Sequence, residues 1–398
     1  MIGEVREKFN ASFSEKKYEA FLADLNQSFN YQIPFRVAES PVFVSKEFKH
    51  KLIDASNHII DFLVRDDSKK LTERSIPKKC FVPNETDHTL FLALDFAVTK
   101  DEQGNLQPQL IEMQGFPSLF GWQDFVASKY KEHFYCPLEF DCHFDLTVDQ
   151  YQSKLRNVLL NDHEPENVIL LEIDPMKQNT AIDFIITEKI SGIAPVHIGD
   201  IKREGRRLFY KKNGKTIPIH RIYNRVIFDE LLKRNDLMLD FNLTEDVAVE
   251  WAGHPNWFLR ISKYTMPMIK SKYVPECKFL NEYKSWPDDL ENYVLKPLFS
   301  FSGTGVIFHL EKNDLDSIPE NERENYLLQR KIQYEPVIQS PDGKVKTEIR
   351  LLFIWEKNQT RPIPVINLAR LSRGEMIGVK FNKDKTWVGA SVCFFEPG

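Results

Sequence analysis

The sequence predicts a mixed fold, α+β overall with an α/β unit inside it. Three observations carry this. Val168–Ile173, Thr180–Ile190 and Ala194–Ile198 run strand, helix, strand, the order of a small parallel sheet with a crossover helix. Thr89–Val98 (TLFLALDFAV) and Gln109–Gln114 (QLIEMQ) read as neighbouring strands about a turn at Asp101–Asn105. The last quarter is rich in strands, with YLLQRKI, KVKTEIRLLFIW and VINLARL in succession.

Length and composition set the frame. The chain has 398 residues, enough for two or three domains. It is 42% hydrophobic and 28% charged, an ordinary globular composition, with 30 phenylalanines to furnish an aromatic core. Lys and Arg total 53 against 58 Asp and Glu, a formal charge of −5, so neither a nucleic-acid partner nor a membrane surface is expected. The five cysteines are scattered and odd in number, which implies no disulfide framework. MIGEVREKFN lacks the apolar stretch of a secretory signal, and no run approaches a membrane span. The expected setting is therefore cytoplasmic.

Taken in order, a helix is expected near Lys16–Phe29. Phe48, Leu52, Ala55, Ile59 and Phe62 step by fours and threes along one face of a second helix. In the first strand pair Asp95 interrupts an apolar run, while Glu112 and Gln114, two apart, share a face. Three oxygen-bearing side chains then converge if the strands pair. Such a buried aspartate needs a partner or a metal, although an edge strand with a wet polar face is an equal alternative. Gly115–Leu119 breaks the sheet, and Trp122, Phe125, Val126, Tyr130 and Phe134 follow helical spacing. His133, Cys136, Cys142 and His143 fit no common zinc spacing, so a structural role is expected. Asn213-Gly214 turns a hairpin; its Gly-Lys-Thr is no phosphate loop, because Phe209 stands where the first glycine belongs. Helices are expected over Asp229–Leu239 and Trp257–Met268.

The stretch Tyr293–Leu310 (YVLKPLFSFSGTGVIFHL) reads as a hairpin with a small-residue tip, Phe299–Gly305. Its glycines let backbone N–H groups approach an anion, and its hydroxyls add donors. Lys296 on the entering strand supplies a charge. An ordinary glycine turn explains the same residues. After it, Glu348 and Arg350 share one strand face, and Asn367 and Arg370 sit on the next strand.

The ordered set VPECKFLNEY, YVLKPLFSFSGTGVIF, YLLQRKIQYEPV, TEIRLLFIW and VINLARL resembles the ATP-grasp superfamily of the glutathione-synthetase type. Its metal element, an Asp on one strand and Glu-x-Asn on the next, normally follows these motifs. Here LALDFAV and LIEMQGFPS resemble it and precede them, the order of the circularly permuted members such as eukaryotic glutathione synthetase and glutathionylspermidine synthetase-like ligases. Gln114 stands where Asn is usual, which puts the second metal position in doubt.

The resemblance implies a circularly permuted ATP-grasp fold with a small parallel-sheet pre-ATP-grasp domain. Residues 1–150 would hold N-terminal helices and the metal strands, and 151–250 the substrate domain. Residues 251–325 would form the lid with the Gly-rich hairpin, and 326–398 the core sheet with the adenine hinge. It implies ATP phosphates on Lys296 and Lys284, and closure over them by Ser302, Gly303, Thr304 and Gly305. Gln329, Arg330, Lys331 and Ile332 would line the adenine. Magnesium would sit on Asp95, Glu112 and Gln114, and Arg350 and Arg370 would stabilise the transferring phosphoryl group. Ser118 and Arg225 are candidates for a substrate carboxylate, a surface ion pair being an equal reading of Arg225. The implied activity is an ATP- and magnesium-dependent carboxylate–amine ligase acting through an acyl phosphate on an amino acid, peptide or polyamine. A phosphotransferase on the same fold and a silent nucleotide-binding protein are the alternatives.

Overall fold

The computed structural model describes residues 1–299, 305–374, 377, 382 and 384–398. Two helices open the chain, α1 (Gly3–Ser12) and α2 (Glu15–Gln27), the second capped by the Ser14 hydroxyl, which accepts from the Lys17 N–H. A short strand, β1 (Val42–Val44), leads into α3 (Lys46–Leu63), whose expected apolar stripe is buried. After the one-turn α4 (Ser68–Leu71) come the long strands β2 (Phe91–Lys100) and β3 (Leu106–Gln114), then α5 (Phe120–His133) and α6 (Val148–Leu160). The parallel unit follows as expected: β4 (Val168–Glu172), α7 (Ala181–Ser191), ended by Gly192 at φ 80°, and β5 (Ala194–His197).

A small meander, β6 (Lys202–Glu204), β7 (Arg207–Lys212) and β8 (Lys215–Ile219), turns at Asn213 and Gly214, both at positive φ. Next are β9 (Arg221–Asn224), α8 (Phe228–Leu231), β10 (Glu250–Ala252) and α9 (Pro255–Arg260). The chain ends with β11 (Cys277–Phe279), β12 (Tyr293–Pro297), α10 (Lys312–Asp316), β13 (Tyr326–Arg330), β14 (Ile338–Ser340), β15 (Gly343–Ile354), β16 (Ile363–Ser372), β17 (Gly389–Ser391) and β18 (Cys393–Phe395).

Several expectations change. The helix over Asp229–Leu239 is only the single turn α8. The helix near Trp257–Met268 stops at Arg260; Ser262 starts a separate 3-10 segment, Lys263–Met268, that contains Pro267. The Gly-rich hairpin has one arm in a strand. Among the described residues its return arm is bridged to β12 at Leu295 and Ile307, whose N–H groups and carbonyls exchange two bonds.

The dominant sheet runs β17-β16-β15-β2-β3, all antiparallel, with β14 added to β15. Residues 91–114 thus pair with residues 343–372 from the far end of the sequence. Strand β13 does not join them; it lies between β11 and β12 in a three-stranded sheet. The parallel sheet runs β10-β9-β4-β5. Along β4, Val168 and Leu170 face the core of the large sheet, while Ile169 and Leu171 face a second core, so the unbroken apolar run reflects burial on both faces.

The His133–His143 segment divides between two ion-pair clusters. His133 bonds Asp24, at 2.8 Å. His143, 2% exposed, bonds Asp124 through Nε2 (3.1 Å) and Asp141 through Nδ1 (3.0 Å). Burial pushes the imidazolium pKa down, but the bonds to Asp124 and Asp141 outweigh it and hold it at about 12. Because the folded pKa lies above the unfolded one, this stabilisation is complete below pH ~6.5 and is lost as pH rises towards 12. The stability of the parent should therefore fall between pH 7 and 9 by up to ~1.4 kcal/mol per pH unit more than that of His143→Gln, measured by urea unfolding. Equal slopes would refute a charged His143.

Gly115 marks a close approach. A Cβ there would stand 2.4 Å from the Trp257 carbonyl oxygen, and its N–H donates to Ile261 at 3.1 Å. Gly115→Ala should cost roughly 1–3 kcal/mol in denaturant unfolding, as overpacking does, whereas Gly104→Ala tests only positive φ, since nothing lies within 4 Å of its Cβ. A silent Gly115→Ala would mean that α9 yields without cost.

A charged cleft and a buried arginine

The centre of the large sheet carries its charges in two cross-strand rows. In the first, Glu112 of β3, Asp95 of β2 and Arg350 of β15 are direct neighbours. In the second, Glu348 of β15 stands opposite Arg370 of β16. Leu94, Phe96 and Val98 point the other way into the core, so the alternation of β2 puts Asp95 on the functional face.

Asp95 is 1% exposed and fully engaged. Arg350 donates from Nε to Oδ1 (2.5 Å) and from Nη2 to Oδ2 (2.7 Å), a bidentate pair. Arg370 also donates to Oδ2 and to Glu348. Burial pushes the Asp95 pKa up, and Arg350 and Arg370 more than reverse it, so Asp95 stays ionised. Glu348 is raised by burial despite the pull of Arg370, with the Asp95 charge adding to the rise. Glu112 is more open, 35% exposed; its Oε1 accepts from Gln114 Nε2 at 2.7 Å and from Arg350 Nη2 at 3.4 Å.

The three expected magnesium ligands are thus brought together, but Asp95 does not fit the part of a metal ligand. Magnesium takes oxygen ligands at about 2.0–2.1 Å in an octahedron. Both oxygens of Asp95 already accept from guanidinium groups. Glu112 and the Gln114 amide oxygen are the hard donors that remain in the set.

Facing these charges are two lysines. Lys296 on β12 donates to Gln329 Oε1 of β13 at 2.9 Å. Burial lowers its pKa, and Glu112, Cys277 and Glu348 oppose the fall. Lys263, at the start of the 3-10 segment after α9, is brought to about 8 by burial, against Glu112 and with Lys296. Both are half-buried and lie within electrostatic reach of Glu112. Lys263 escapes the sequence reading, which took its segment for helix interior. The serine and proline at Ser262 and Pro267 were the available signal of a break.

The other expected nucleotide residues divide. Gln329 is buried on the Lys296 side of the small sheet. Arg330 alternates to the other side, where it pairs with Asp289 (3.2 Å) and lies over the Tyr293 ring. Lys331 sits 4.3 Å from the Phe308 ring centroid, and Ile332 is half-buried in the irregular chain beyond β13. Lys284 is not in this cleft. It lines a separate surface pocket with Trp286, Lys312 and Arg323. Ser302, Gly303 and Thr304 lie outside the described residues. Gly305 is exposed at φ 73°, where a Cβ would stand 2.9 Å from Pro297 Cγ.

A second charged site lies at the C-terminal end of the parallel strands, the usual place for a ligand in such sheets. Arg225 follows β9 and is 5% exposed, so it is no surface ion pair. Its guanidinium is sandwiched between Phe116, at 5.0 Å, and Phe184, at 5.3 Å. Its Nε and Nη1 have no hydrogen-bond partner among the described residues. Glu172 is pushed up to about 8 by burial, with Arg225 opposing, and Asp183 is raised by burial in the same way. Asp183 Oδ1 caps α5 by accepting from the Trp122 N–H at 2.9 Å, and its Oδ2 has no partner among the described residues. Ser118 lies half-buried in the loop that carries Phe116. That loop starts directly after Gln114, so the two charged sites share one connecting segment.

No protein-family model matches the chain, and no curated protein does. Among solved structures, a glutathione synthetase-like effector from Globodera pallida, in its apo form, matches over 96% of this chain and 96% of its own. The TM-score is 0.59 and the sequence identity 10%. The likeness is one of fold: the chain has the mixed α/β, several-sheet architecture of a glutathione synthetase-like protein.

Proposed function

We propose that the chain is an ATP-dependent carboxylate–amine ligase on a circularly permuted ATP-grasp fold. The observation that carries this reading is the buried guanidinium of Arg225, whose Nε and Nη1 have no hydrogen-bond partner among the described residues, at the mouth of the parallel sheet, one loop away from a cleft that collects Lys263, Lys296, Arg350 and Arg370. Buried N–H groups left without an acceptor are costly, and a ligand carboxylate removes that cost. A cluster of cations beside it suits a polyphosphate. The likeness of fold to a glutathione synthetase-like protein agrees with it.

The chemistry follows. One carboxylate oxygen of the acid attacks the γ-phosphorus of ATP, and the β–γ bridging bond breaks to release ADP. The acyl phosphate then takes an amine at its carbonyl carbon. The tetrahedral adduct expels phosphate, and the nitrogen gives up its proton to water, leaving an amide. No covalent enzyme nucleophile is required. Arg225 orients the acid, Lys263 and Lys296 hold phosphate oxygens, and Arg350 and Arg370, fixed by Asp95, spread the charge of the transferring group. Gln329 and the chain to Ile332 border the nucleotide base. The scheme needs no ion at Asp95.

One observation favours a second reading, a nucleotide-binding protein without turnover: Asp95 is wholly occupied by arginines. The test is a screen of amino acids, peptides and polyamines for coupled release of ADP and phosphate with formation of an amide. Lys263→Met and Lys296→Met should each weaken ATP binding by about 10- to 100-fold in calorimetry, the worth of one charge-assisted contact. Arg225→Met should leave ATP affinity unchanged and raise the KM for the acid by a similar factor. ATP binding without ADP release across the screen would select the silent reading, and no ATP binding would end both.

A further inference from the structure

The position that the resemblance marks for a metal is filled by guanidinium. We infer that Asp95 is a positioning residue for Arg350 and Arg370 rather than a cation ligand, and that divalent-cation affinity in this cleft rests on Glu112 and Gln114. Three observations support this independently of the ligase reading. First, both Asp95 oxygens are used, Oδ1 by Arg350 Nε and Oδ2 by Nη2 of both arginines. Second, the pairing is built into the sheet, because Asp95 and Arg350 are register partners on adjacent strands and so present their side chains side by side on one face. Third, Asp95 and Arg350 are 1% and 5% exposed, so an ion reaching Asp95 would have to displace a buried guanidinium and leave it without a counter-charge. Glu112, by contrast, is open, and the Gln114 amide lies beside it, bonded to Glu112 Oε1 through its nitrogen.

The face is therefore an arginine-neutralised site. Asp95 holds the two guanidinium planes in a fixed orientation, with Arg370 also tied to Glu348. Those cations meet an anionic ligand without an intervening ion. Cation binding is left to the outer edge of the sheet, where Glu112 of β3 is the weaker donor that remains.

Manganese titration of the intact chain without nucleotide, read from the electron paramagnetic resonance of free Mn2+, tests this. Asp95→Asn should leave manganese affinity within about threefold of the parent, and Glu112→Gln should lower it by tenfold or more. Arg350→Met frees Oδ1 while Arg370 still pairs with Asp95. It should tighten manganese by at least tenfold, and adding Asp95→Asn to it should abolish the gain. A structural role for the pair would not produce that gain. If Asp95→Asn fails to fold, the Arg350→Met arm decides alone. A tenfold loss in Asp95→Asn, or unchanged affinity in Arg350→Met, would overturn the inference.

Discussion

The register of β2 between β3 and β15 is the constraint on which the candidate sites depend. It places Glu112, Asp95 and Arg350 in one row and sets Glu348 and Arg370 in the next. A slip of one residue along β2 would send Asp95 into the apolar core and bring Leu94 or Phe96 to the cleft. Buried charge tolerates no such error, because an unpaired carboxylate or guanidinium costs several kcal/mol. The ion pairs thus specify the sheet as well as the chemistry, and the facing lysines have a fixed target in Glu112.

Much of the architecture is legible in the residues. Period-two alternation and apolar runs locate β2, β3, β4, β15 and β16, and the stripe of α3 is plain. Which strands are neighbours is another matter. Nothing in TLFLALDFAV or TEIRLLFIW says that they pair across 255 residues. The same gap hides the Asp95–Arg350 pair, because strand patterning gives the face of a residue and not its partner. The residues alone left Asp95 between a charged partner and a metal, and the partner it has here is an arginine.

The lysines show a second limit. Lys284 lies nearer the hairpin in sequence than Lys263 does, yet Lys284 is exposed at a surface pocket while Lys263 is half-buried within reach of Glu112. Burial was the missing variable. Arg225 is the opposite case: sequence left it between surface and site, and its place between Phe116 and Phe184 settles only that it is inside. Asp183 ties that region to α5, so the wall of the arginine site is also a helix cap. Perturbing one would be felt in the other.

The pairing of β2 with β15 also dictates an order of assembly. A ribosome delivers β2 and β3 early, and β15 only after about another two hundred and fifty residues. Until then one edge of Phe91–Lys100, a strand with nine buried positions, has open backbone donors and acceptors and an apolar surface. Closing so long a loop is entropically slow and exposes that edge to other chains. The parallel unit, whose strands are close in sequence, is free to form first. Synthesis of this chain therefore passes through a stage in which a long, largely apolar strand lacks one of its two partners.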